Sequence, residues 1–260
     1  MCGIGGFFLS CNLSLEDKTL TKILNDIDHR GPDDKGLYKS IDSRVGLVHT
    51  RLSIQDLSSL GHQPMISRDQ KVVLVFNGEI YNFKELRSEL FLKGVHFNGN
   101  SDTEVLLNLY LLEGKAMLSR LNGIFAFAIW DQQDKSLFIA RDNFGVKPIY
   151  YAELNKSFFF ASELKALVPI LKGSNQLNNE AIALYLSYLW CPGKQTPIKI
   201  INKVLPGEAK IIKDGVIEES WKWYHPKIFQ KKSKILMRPE ERSEERRVGK
   251  ECRSRWSPYH

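Results

Sequence analysis

Apolar residues in this sequence come in short runs, and the longest, Ile124–Trp130, has the length of a strand. A membrane-spanning helix needs about 18 consecutive apolar residues, so such a helix is not expected. The first residues also lack the basic and apolar regions of a signal peptide, which points to the cytoplasm. The runs are paired. Ile124–Trp130 and Leu137–Arg141 flank Asp131–Ser136, and Ile149–Glu153 and Ser157–Ala161 flank Leu154–Lys156, the pattern of two hairpins. Further strands are expected at Gly3–Leu9, Val45–His49 and Val72–Phe76, with two short ones after Pro206-Gly207 and Asp214-Gly215 that end near Tyr224.

Helical periodicity appears between them. Leu20, Ile23, Leu24 and Ile27 share one face of a helix over Leu15–His29, with Ser14 and Asp17 as a capping pair and Gly31-Pro32 as its stop. Asn82 is the expected cap of a helix over Phe83–Lys93, closed by Gly94. Ser101 and Glu104 form a capping-box pair for a helix to Glu113, closed by Gly114. A short helix near Ser162 and another over Glu180–Trp190 follow. Hairpins grouped around a pair of helices predict an α+β layered domain with helices covering packed sheets. A chain of 260 residues, 43% apolar, suffices to bury such a core.

Composition excludes other classes. The cysteines Cys2, Cys11, Cys191 and Cys252 form no CxxC pair, and the six histidines are scattered, so neither a disulfide framework nor a metal site is expected. The net charge of +7 is concentrated late in the chain. Residues 242–260 hold six Lys/Arg and three Asp/Glu, and Lys227–Arg238 holds five more basic residues. No basic stripe interleaved with aromatics runs through the rest, which argues against nucleic acid.

The chemistry begins at Cys2. The small second residue permits removal of Met1, leaving a thiol and a free α-amine on one residue. An α-amine of pKa near 8 serves as base for a thiol of pKa near 8.5. Asn77-Gly78 follows an apolar run; an amide side chain and a backbone N–H there suit an oxyanion hole. Arg51 offers a fork for a carboxylate, and Asp102 a charge for an ammonium. Each has an ordinary alternative: a buried first strand for Cys2, a tight turn for Asn77-Gly78, a surface ion pair for Arg51, and a first-turn helix charge for Asp102.

Together these residues stand in a recognisable order: Met1-Cys2-Gly3-Ile4, His29-Arg30-Gly31-Pro32-Asp33, Arg51-Leu52-Ser53-Ile54, Asn77-Gly78-Glu79-Ile80-Tyr81-Asn82 and Ser101-Asp102-Thr103-Glu104. Leu121–Ala128, Arg141-Asp142 with Gly145-Val146-Lys147-Pro148, and Ser162–Leu167 continue it. The series, from Met1 to about Tyr224, resembles glutamine-hydrolysing asparagine synthetase more than the sugar-phosphate or purine-pathway amidotransferases. The resemblance implies an N-terminal-nucleophile hydrolase fold, with two antiparallel sheets sandwiched between helices. It makes Cys2 the nucleophile, Asn77 and Gly78 the oxyanion hole, and Arg51 the partner of the glutamine α-carboxylate. It gives Glu79 and Asp102 the α-amino end, and lines the pocket with Leu52, Ser53, Ile54 and Gln55. His29–Asp33 supports the terminus, and Arg141, Asp142 and Lys147 brace the hairpins.

In that family an ATP-dependent synthetase domain follows the glutaminase and receives its ammonia. Its phosphate-binding motif of the Ser-Gly-Gly-Leu-Asp-Ser type does not occur here. No cofactor is therefore expected for this part, ATP and Mg belonging to the synthetase domain. The partners implied are glutamine, that domain, and a second copy in a homodimer of the full-length protein. Residues 1–224 are expected to form the glutaminase and 225–241 a linker. Residues 242–260 have no apolar periodicity and resemble an in-frame translation of a sequencing adapter, giving a disordered tail in place of the synthetase domain. Two rival readings stand beside this one: the glutaminase half of an amidotransferase with another carboxylate acceptor, and an inactive module that docks on a partner.

Overall fold

The computed structural model describes residues 1–10, 18–54, 58–171 and 173–226. The chain divides into two units, Met1–His225 and Pro226–His260, and all the elements below lie in the first. Two six-stranded antiparallel sheets form its centre. The first has the order β10 (Ile201–Lys203), β8 (Tyr150–Leu154), β9 (Ser157–Ala161), β1 (Gly3–Phe8), β3 (Val45–Arg51), β2 (Asp34–Lys39). The second has the order β12 (Val216–Lys222), β11 (Glu208–Lys213), β7 (Ser136–Arg141), β6 (Gly123–Asp131), β5 (Val72–Ile80), β4 (Met65–Ile66).

The layering follows from side-chain alternation along strands buried on both faces. On β5, Val73 and Val75 pack with Ile4, Phe8 and Leu47 between the sheets, while Val72, Leu74 and Phe76 pack outward with Leu86, Leu106 and Leu109. Those outer residues come from α2 (Phe83–Leu92) and α3 (Asp102–Glu113). On the other outer face, Phe7, Val48 and Phe159 pack with Leu20 and Ile23 of α1 (Lys18–Asp26). The result is the helix–sheet–sheet–helix sandwich expected from the sequence. Each large side chain so buried contributes about 1.5–3 kcal/mol.

The two central hairpins, β6–β7 and β8–β9, pair as expected. The Ser101 hydroxyl accepts from Glu104 N at 3.2 Å, and Gly114, at φ +55°, follows the end of α3. Several details differ. The described part of the first helix ends at Asp26, followed by a 3-10 turn over Asp28–Arg30; its expected cap, Ser14 with Asp17, lies outside the described residues. Asn82 does not cap α2: its amide donates to Arg120 O at 2.9 Å and its Oδ1 accepts from Asn122 N at 3.0 Å. The last helix, α4, runs from Asn179 to Tyr188 and stops where Leu189 turns left-handed. Strands β2, β4 and β10 were not expected. The first is a half-exposed edge with charged residues, and the other two are very short.

Candidate active site

Strand β5 does not turn at Asn77-Gly78. It continues to Ile80, paired with β6 throughout, with Gly78 opposite Phe125. A Cβ at Gly78 would lie 2.2 Å from the Ile124 carbonyl oxygen, which explains a glycine inside a strand. Its neighbour β4 pairs only with Val73 and Leu74, so from Phe76 onward the other edge of β5 has no strand beside it among the described residues.

Backbone groups on a strand alternate in direction, and those on the open edge are met by side chains. Phe76 N–H donates to Gln63 Oε1 at 2.7 Å, and the Phe76 carbonyl accepts from His49 Nε2 at 3.1 Å. Two residues on, Ile80 N–H donates to Asp102 Oδ2 at 3.0 Å. Opposite Gly78, Phe125 turns its N–H to Asp142 Oδ2 and its carbonyl to Asp142 N, away from β5. The N–H of Gly78 therefore lies on the open edge, midway between the two occupied ones.

That edge forms one wall of a cavity of about 80 Å³, whose lining includes Met1, Cys2, Arg51, Leu52, Asn77, Gly78, Glu79 and Asp102. Cys2 reaches it at the start of β1. Its thiol lies 3.7 Å from the Leu52 carbonyl and accepts from Leu52 N at 3.4 Å. Arg30 Nε donates to the Cys2 carbonyl at 2.9 Å, and Arg30 Nη1 pairs with Glu163 Oε1 at 3.0 Å. The His29–Asp33 segment thus anchors the first residues, and Asp33 also accepts from Ser53 N at 2.7 Å.

Arg51 sits at the end of β3 and is 7% exposed, so it is buried and not a surface side chain. Its Nη1 donates to the Ser58 carbonyl at 2.9 Å, and Gly61 lies flat against the guanidinium, where a Cβ would come 2.1 Å from Nη2. Asn77 is 1% exposed, and its Nδ2 has no hydrogen-bond partner among the described residues. A buried amide N–H without a partner costs about 1–3 kcal/mol, so it marks a place where an acceptor belongs.

Asp102 is both the first residue of α3 and buried at 5% exposure. Burial, reinforced by the nearby negative charge of Glu79, pushes its carboxyl up to about 6. Glu79 and Asp102 thus bring two carboxyl groups to the lining of the cavity. His49 is fully buried, and burial pushes its imidazole down to about 3, so the ring is neutral. Because a carbonyl only accepts, the ring carries its proton on Nε2.

The cavity thus gathers Cys2, Arg51, Leu52, Ile54, Asn77, Gly78, Glu79 and Asp102 from four separate stretches of sequence. The amide of Ser53 is turned to Asp33, and Gln55 lies outside the described residues. Sequence reasoning missed Gln63, Thr103 and Lys147, which also line the cavity. The backbone around Lys147 does brace the hairpin, since Asp142 accepts from the N–H groups of Phe144, Val146 and Lys147. Among the described residues no group of three or more His, Cys, Asp or Glu is placed to hold a metal, and no helix is long and apolar enough to cross a membrane.

Two antiparallel sheets face to face between helices, with a cysteine at the start of a central strand opening into a cavity, define the fold of the N-terminal-nucleophile hydrolases. The chain is a member of the glutamine amidotransferase family: residues 1–224 match the profile described as "Glutamine amidotransferase domain". It is 42% identical over 221 residues to asparagine synthetase [glutamine-hydrolyzing] 1 of Bacillus subtilis (strain 168), covering 84% of this chain and 34% of that protein. It is 38% identical over 193 residues to asparagine synthetase B [glutamine-hydrolyzing] of Escherichia coli (strain K12), covering 73% and 33%. The chain thus spans about a third of the length of these curated relatives. Among solved structures, the glutamine phosphoribosylpyrophosphate amidotransferase of B. subtilis superposes with a TM-score of 0.62 at 21% identity, over 86% of this chain and 50% of that one, a likeness of fold.

Proposed function

We propose that this domain hydrolyses glutamine to glutamate and ammonia, with Cys2 as an N-terminal nucleophile after removal of Met1. The observation that carries the reading is the buried Asn77 Nδ2, without a partner among the described residues, on the wall of the cavity that Cys2 also lines. Beside it the Gly78 N–H supplies a second donor. Two donors aimed at one point stabilise an oxyanion in a way that water cannot, because they are fixed before the charge develops.

The substrate is oriented by its charged end. Arg51 receives the α-carboxylate, and Glu79 and Asp102 receive the α-ammonium. In the reaction the Cys2 α-amine takes the thiol proton and the thiolate attacks the side-chain amide carbon, forming a C–S bond. The tetrahedral oxyanion rests on Asn77 and Gly78. The amine then gives its proton to the leaving nitrogen, the C–N bond breaks, and ammonia departs. Water attacks the thioester, the C–S bond breaks, and glutamate leaves. Met1 lines the cavity while in place, so its removal both frees the amine and clears room for substrate.

The identity to the asparagine synthetases supports aspartate as the final ammonia acceptor, on a cytoplasmic synthetase domain that uses ATP and Mg. The test of the glutaminase reading is an assay of glutamate release by the processed chain and by Cys2→Ala. Loss of at least about 10³-fold in the variant, with an unchanged melting temperature, is expected from removal of a nucleophile. Retained activity removes Cys2 from the mechanism.

A further inference from the structure

The open edge of β5 poses a structural problem at Phe76. Its N–H and carbonyl point where a neighbouring strand should lie, β4 has already ended, and the residue is 3% exposed. Buried backbone groups left unpaired cost about 1–3 kcal/mol each, and a ladder on one side leaves a strand free to twist or slide. Two buried side chains take the place of the missing strand. Gln63, 4% exposed, accepts from Phe76 N–H at 2.7 Å and turns its Nε2 to the Thr103 hydroxyl at 3.3 Å. His49, fully buried, crosses from the other sheet to donate to the Phe76 carbonyl at 3.1 Å.

The position of these bonds matters. Phe76 immediately precedes Asn77 and Gly78. His49 lies two residues before Arg51 on β3 and pairs with Ile4 of β1, which leads to Cys2. Thr103, which anchors the far side of Gln63, follows Asp102. One backbone unit thus receives a tie from each wall of the cavity.

We propose that His49 and Gln63 clamp the Phe76 peptide and thereby set the position of Asn77 Nδ2 and the Gly78 N–H over the Cys2 thiol, making both of them positioning residues for the glutaminase step. The inference rests on the reading of Asn77 and Gly78 as oxyanion donors. It extends that reading to two residues, one of which does not line the cavity at all. Neither side chain is assigned contact with substrate carbons or a share in proton transfer. Their effect is geometric, and a donor displaced by about 1 Å costs on the order of 10²-fold in rate.

The experiment measures kcat and KM for glutamine with His49→Leu, His49→Gln and Gln63→Met, together with deuterium exchange at the Phe76 amide. His49→Leu and Gln63→Met should lower kcat by roughly 10- to 100-fold with KM within about threefold, because a shifted oxyanion donor affects the transition state and not the ground state. His49→Gln, which restores an amide donor at similar reach, should return kcat to within about fivefold of the unaltered chain. A folded His49→Leu or Gln63→Met with kcat near the unaltered value, a loss confined to KM, or a His49→Gln no better than His49→Leu overturns the clamp. If His49→Leu does not fold, Gln63→Met decides. If the unaltered chain releases no glutamate, the proposed function fails, and the clamp is judged on exchange alone: a Phe76 amide exchanging as fast in the unaltered chain as in Gln63→Met rejects it.

Discussion

The Arg30 guanidinium ties the Cys2 carbonyl to Glu163, with Nε 2.9 Å from the first and Nη1 3.0 Å from the second. Glu163 also meets His29 Nε2 at 2.8 Å, and the basic neighbours hold its carboxyl below the ordinary range even though burial opposes them. Strand β1 is therefore fixed at the residue that carries the thiol.

Replacing Arg30 with Met keeps much of the bulk and removes both bonds. The first residues should loosen while the substrate-binding wall stays intact. Steady-state kinetics should show kcat lower by about 10- to 100-fold with KM changed little. A change confined to KM contradicts the anchoring role.

Gly61 offers a way to move Arg51 without altering it. A Cβ there would stand 2.1 Å from the guanidinium, which must shift because it is the movable end of the pair. Gly61→Ala should raise KM for glutamine by about tenfold, equivalent to roughly 1.4 kcal/mol of lost binding, with kcat within about threefold. Equal KM values in the two proteins would separate Arg51 from the substrate carboxylate.

Asp102 predicts a pH dependence. Its carboxyl titrates near 6, above its ordinary 3.8, chiefly because it is buried. An α-ammonium stays charged across this window and favours the ionised carboxylate, so affinity should strengthen as pH rises towards about 6 and level off above it. In calorimetry with Cys2→Ala, the Kd for glutamine should fall about fivefold from pH 5 to 6, following the ionised fraction of a carboxyl that titrates near 6, and Asp102→Asn should flatten the profile. The sign for stability is opposite. The folded state holds this proton more tightly than the unfolded chain, so a stabilisation on the order of 3 kcal/mol present below pH 4 is lost as pH rises from about 4 to 6. Denaturation midpoints that rise over this interval in the unaltered chain relative to Asp102→Asn contradict the assignment.

Gly78 cannot accept a side chain, since the obstruction is the Ile124 backbone and not a movable group. Gly78→Ala should cost about 1–3 kcal/mol or more in urea denaturation, as overpacking does. A neutral effect would mean that β5 and β6 separate easily at this point.

Much of the cavity's lining was legible because its residues carry chemistry that few positions need: a second-place cysteine, an arginine at a strand end, a carboxylate at a helix start. Asn77-Gly78 misled in one respect. An Asn-Gly pair after a strand resembles a turn, whereas here close strand packing demands the glycine and β5 runs on to Ile80. Asn82 sat where a cap belongs, but Arg120 and Asn122 claimed its side chain through tertiary contacts that local sequence does not contain. Strand β2 was missed because an edge strand with Asp34, Lys35 and Lys39 lacks an apolar stripe. His49 and Gln63 were not legible as site residues at all. Their importance arises from β4 ending early, a property of the sheet and not of their neighbours in sequence.

In the proposed reaction a freed thiol and amine on one residue perform the chemistry. The most direct measurement is mass spectrometry of the chain quenched in acid during glutamine turnover. An N-terminal peptide that begins at Cys2 and carries a γ-glutamyl group on sulfur is expected. Turnover of glutamine by a chain that still begins with Met1, with no glutamyl group on Cys2, would contradict it.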